Sequence, residues 1–104
     1  MTDASHARTE LLERRLSLVT ALSALNAEAL KWTQFLGAIE MDILRMELEL
    51  GRDGASEQLV RDLHGAERSA DGIRNALSDC EERIAAVEQQ VDEVDRLLAE
   101  AGRE

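Results

Sequence analysis

Leu50-Gly51-Arg52-Asp53-Gly54-Ala55-Ser56-Glu57-Gln58-Leu59, residues 50–59, is where a regular apolar repeat stops and starts again. Before this stretch, apolar residues recur at Leu11, Leu18, Leu22, Leu25, Ala29, Trp32, Leu36, Ile39, Ile43, Met46 and Leu50, with Arg15 filling one step. After it they recur at Leu59, Leu63, Ala66, Ala70, Ile73, Leu77, Cys80, Ile84, Val87, Val91, Val94, Leu98 and Ala101. Steps of four and three alternate throughout, the heptad spacing by which one helix buries a seam against another. A break this short makes the two helices antiparallel neighbours. The fold class is therefore all-α, an antiparallel two-helix coiled-coil hairpin forming a single domain over residues 1–104.

Punctuation residues give the bounds. Asp3, Ser5 and Thr9 are all acceptable N-caps, so helix 1 is predicted over about 5–50, with Gly51 closing it in the left-handed conformation. The turn spans 51–55, Ser56 caps the next helix, and helix 2 runs over about 56–101 to Gly102. In phase, Leu50 faces Leu59, Ile39 faces Ala70 and Leu25 faces Ile84. Arg15, the one charge on either ladder, then falls opposite Val94 and within reach of Asp95. There it either fixes the register or runs its stem along Leu11 and Leu18. Gly65, Ala66, Ser69, Ala70, Gly72 and Ala76 make helix 2 locally soft. The heptad phase passes straight through them, so a continuous helix is expected, a kink being the alternative.

Composition agrees with long helices. Proline and tyrosine are absent, one Trp and one Phe are the only aromatics, and charged residues make up 33% of the chain. The net charge is −10, shared as −3 over residues 1–51 and −7 over residues 52–104. No basic surface able to neutralise phosphates can be assembled from this balance, so direct nucleic-acid or anionic-membrane binding is not expected. The single cysteine cannot form an internal disulfide. The first six residues show no basic-then-apolar leader, and no run approaches a spanning helix, so the expected address is cytoplasmic.

Helix 2 has a narrow seam, whereas helix 1 carries apolar residues outside its own. Leu12, Leu16 and Val19 form one cluster; Met41, Leu44 and Leu48 form another near the hairpin tip, with Val60 beside them. Leu30 lies between the clusters, and Phe35 sits on the opposite flank of the seam. Trp32, mid-seam, is the candidate anchor should its ring reach past its partner helix, and its indole N–H calls for an acceptor, with Glu28 and Thr33 nearby. These residues form the candidate interface. A homodimer joining two hairpins into a four-helix bundle would cover the stripe, as would a helical protein partner. Scattered tolerated surface residues are the bland alternative.

Little else carries chemistry. His64 with Glu67 has helical spacing, but the position three before His64 is Arg61, where a di-iron bundle would place Glu. A solvated histidine is the better reading, and no metal or cofactor is expected. Cys80 sits on the ladder among Asp79, Glu81 and Glu82, neighbours that disfavour a thiolate, so it reads as a small core residue. No phosphate loop, zinc spacing or nucleophile–base arrangement occurs, and a two-helix hairpin offers no pocket of its own, so neither catalysis nor a small-molecule substrate is expected.

The outline is similar to the hundred-residue helical hairpins secreted by type VII systems, a family with Trp-x-Gly in its turn. Here Thr33 and Gln34 follow Trp32, no tryptophan lies in 51–55, and the chain has no tyrosine for that family's export tail, so membership is not assigned. In size, helicity and acidity it is also similar to small chaperones and assembly proteins of secretion machines and phages. The expected function is a non-enzymatic protein–protein interaction module, a small acidic chaperone or adaptor. The alternatives are a passive structural component of a larger coiled-coil assembly and an acidic nucleic-acid mimic that blocks a basic protein.

Overall fold

The computed structural model describes residues 2–103 and contains two helices, α1 (Thr2–Asp53) and α2 (Glu57–Gly102). They pack against each other as an all-α helical hairpin, with no strand among the described residues. The hairpin divides into two compact units. One joins α1 up to Ala27 with α2 from Cys80 onward; the other is Glu28–Asp79.

The connection is shorter than expected because Gly51 does not close α1. The helix continues through Gly51, Arg52 and Asp53, and Gly54 takes the left-handed backbone at φ 80°. Its N–H donates to the Leu50 carbonyl at 3.1 Å, the single bond that satisfies an orphan carbonyl in a left-handed cap. The longer helix adds backbone bonds and brings Arg52 into the last turn, where a cation complements the helix dipole. Ser56 then caps α2 as expected: its Oγ accepts the Leu59 N–H at 3.0 Å, and its carbonyl accepts the Val60 N–H at 3.1 Å. α2 stays helical through Gly65 and Gly72. Gly102 is its last helical residue rather than a left-handed cap, since Gly54 is the only positive-φ glycine among the described residues.

The ladders account for the core. Among the described residues, the buried hydrophobic ones, Leu25, Ala66, Ala70, Cys80 and Val94, are all ladder positions. In the 28–79 unit the closest packing falls on alanine: Ala70 is fully buried and Ala66 nearly so. Small residues at a seam let two backbones approach and leave no void for larger neighbours to fill. In the other unit, Cys80 is 1% exposed, and its thiol donates to the Leu25 carbonyl at 3.2 Å. That bond gives a buried S–H an acceptor on the opposite helix, consistent with a structural cysteine.

One cross-helix ion pair checks the register directly. Arg15 Nε donates to Asp95 Oδ1 at 2.6 Å, and Nη2 reaches Oδ2 at 3.4 Å. The guanidinium hydrogen bond holds the Asp95 carboxyl below its usual range and raises Arg15. Elsewhere, surface side chains bond along their own helix. Arg96 is shared by Glu93 and Glu100, Arg61 bonds Gln58, and Glu10 pairs with His6. Thr9, Thr20 and Thr33 each donate their hydroxyl to the carbonyl four residues back, which accommodates them inside a helix.

Candidate protein-binding surface

Among the described residues, the large apolar side chains left exposed all belong to α1: Leu12, Leu16, Leu30, Phe35, Met41, Leu44 and Leu48. Helical geometry explains why. A residue one or two places from a seam position on a helix is turned away from the seam by about 100° or more, beyond the partner's reach. The remaining candidates, Val19, Trp32 and Val60, are half-buried.

In the 28–79 unit, Met41 is 66% exposed, Leu44 49% and Leu48 57%, so three large apolar side chains at spacing three and four share one face. Glu40 and Glu47 border this row on the side of the seam, and Arg45 and Arg52 border it on the far side. The charged neighbours are loosely held. Arg45 Nη2 is 3.2 Å from Asp42, and Arg74 reaches across from α2 to within 3.9 Å of Glu40. Such exposed pairs constrain their side chains weakly. Val60, at the start of α2, lines a shallow hollow with Ala55, Ser56, Glu57 and Arg61.

The half-buried Trp32 forms a feature that the ladder alone did not signal. Its ring meets Phe35 edge-on, with centroids 5.9 Å apart and planes at 75°. Lys31, the only lysine of the chain, places Nζ 5.5 Å from the Trp32 centroid and 5.9 Å from that of Phe35. A cation over two ring faces gives the aromatic pair a polar cover. The signal was present as Lys31-Trp32 with Phe35 one turn on, spacing that puts an amine and two rings on neighbouring positions. In the other unit, Leu12 and Leu16 are exposed beside the half-buried Val19.

His64 is exposed, and no group of three or more His, Cys, Asp or Glu side chains among the described residues is arranged to hold a metal. None of the described helices is long and apolar enough to cross a membrane. No protein-family model matches the chain, and neither a characterised protein nor a solved structure is significantly similar to it.

Proposed function

We propose that this chain is a non-enzymatic protein–protein interaction module, a small acidic helical hairpin of the chaperone or adaptor kind. The observation that carries the reading is the segregation of exposed large apolar residues onto α1, most densely at Met41, Leu44 and Leu48. Apolar residues concentrated on one helix face, beyond what the hairpin buries, mark a surface that gains free energy when covered by another helix. The mode is helix-in-groove burial, with anchors at three- and four-residue spacing. The net negative charge of the chain keeps the uncovered form soluble and repels wrong partners.

A photo-crosslinking residue placed at Leu44, with a control at the exposed Gln89 of α2, tests this in the source cells. The expected result is a discrete protein adduct from position 44, to a second copy or to another protein, and none from position 89. Equal labelling at both positions, or none at 44, would contradict the reading.

A further inference from the structure

We propose that the Met41–Leu44–Leu48 row is a second heptad seam, which pairs α1 in parallel with α1 of a second copy of this chain. The inference rests on the interaction-module reading and names the occupant of its surface. In heptad terms Met41 and Leu48 are a positions and Leu44 is a d position, with Gly51 as the next d. The residue preceding each a is then Glu40 or Glu47, and the residue following each d is Arg45 or Arg52. The row thus has an acidic flank on one side and a basic flank on the other.

That asymmetry selects both the occupant and its direction. In a parallel helix pair, the residue before an a position faces the residue five further along on the other helix. Glu40 of one copy meets Arg45 of the second, and Glu47 meets Arg52; two-fold symmetry repeats both pairs. In an antiparallel pair the same geometry sets acid against acid and base against base, so the charges oppose it. A second copy is therefore complementary to this surface in one orientation only.

The present contacts leave these charges free to rearrange. Glu40 and Arg45 are more than half exposed, and their present bonds are the 3.9 Å approach of Arg74 and a local contact with Asp42. The seam is also confined to residues 40–52. Going back along the row from Met41, the positions are Gly37, Gln34 and Leu30, where glycine and glutamine offer little apolar contact. Residues 40–52 lie within the 28–79 unit, whose own seam uses Ile39, Ile43, Met46 and Leu50, half-buried on a different face of the same turns.

The test is sedimentation equilibrium of the full chain at low ionic strength, with helix content followed by circular dichroism. The wild-type chain is expected to be a dimer. Glu40→Lys with Glu47→Lys places like charges across the parallel seam and should weaken association by about tenfold or more. Adding Arg45→Glu and Arg52→Glu to the same chain restores opposite charges and should restore the wild-type constant. Restoration shows that the double variant's loss was not misfolding. A monomeric wild-type chain overturns the proposal, as does a dimer indifferent to the double variant or not rescued by the fourfold one. A monomer that still crosslinks another protein through position 44 would leave the module reading standing, whereas a monomer with no adduct would remove both.

Discussion

Helices α1 and α2 carry equally regular heptad ladders, yet α2 is the more sharply two-sided of the two. Outside its ladder α2 is mostly charged and polar, and none of its large apolar residues is left exposed among those described; α1 leaves seven. A ladder by itself therefore explains only the helix that needs one partner. What α1 carries beyond its ladder is a second apolar face that the hairpin leaves exposed.

The largest expected effect breaks the comparison at its two extremes. Ala70 is 0% exposed and Leu16 69%. Ala70→Glu places an uncompensated charge in the α1–α2 seam and should cost about 3–5 kcal/mol in urea unfolding. Leu16→Glu, on the exposed α1 face, should remain within about 0.5 kcal/mol of wild type. Similar losses for the two would mean that α1 has no uncovered face at that position.

A smaller effect sharpens the account of the junction. Gly54 holds a positive φ, while an added Cβ at Gly51 meets nothing within 4 Å. Gly54→Ala should cost about 1–2 kcal/mol, because an L side chain is strained in the left-handed region. Gly51→Ala should have the opposite sign and gain up to about 1 kcal/mol, since alanine is the better helix former. Thermal or urea midpoints decide it, and a loss for Gly51→Ala would put the helix end back at residue 51.

The smallest effect concerns the Arg15–Asp95 tie. The Asp95 carboxyl titrates below its unfolded value of about 3.9, so its stabilising contribution is present above that pH and is lost as pH falls through the lower folded value. Wild-type stability should consequently fall more steeply below about pH 4 than that of Asp95→Asn, with the difference reduced by salt. Parallel acid-unfolding curves would show the pair to be inert.

The ladder residues made the seam legible because helix–helix burial depends on angular position, which spacing alone encodes. Ala70, Cys80 and Val94 are buried where the repeat places them, and Arg15 bonds Asp95, next to the ladder position Val94. The end of α1 was less legible. Gly51 and Gly54 are both competent to close a helix, and the choice depends on how the closure joins the Ser56 cap, which spacing does not reveal. The Lys31–Trp32–Phe35 group was missed for a related reason: it depends on side-chain rotamers reaching between neighbouring positions, not on the repeat. The exposed α1 residues could be named from the sequence because they fall outside the repeat.

The most direct test of the account is the solution mass of the wild-type chain beside a Met41→Ser, Leu44→Ser, Leu48→Ser variant, measured by light scattering across a range of concentrations. The account predicts twice the chain mass for wild type and the single-chain mass for the variant, with helix content unchanged because these side chains lie outside the hairpin seam. Equal masses for the two, or a variant that loses its helix content, would contradict it.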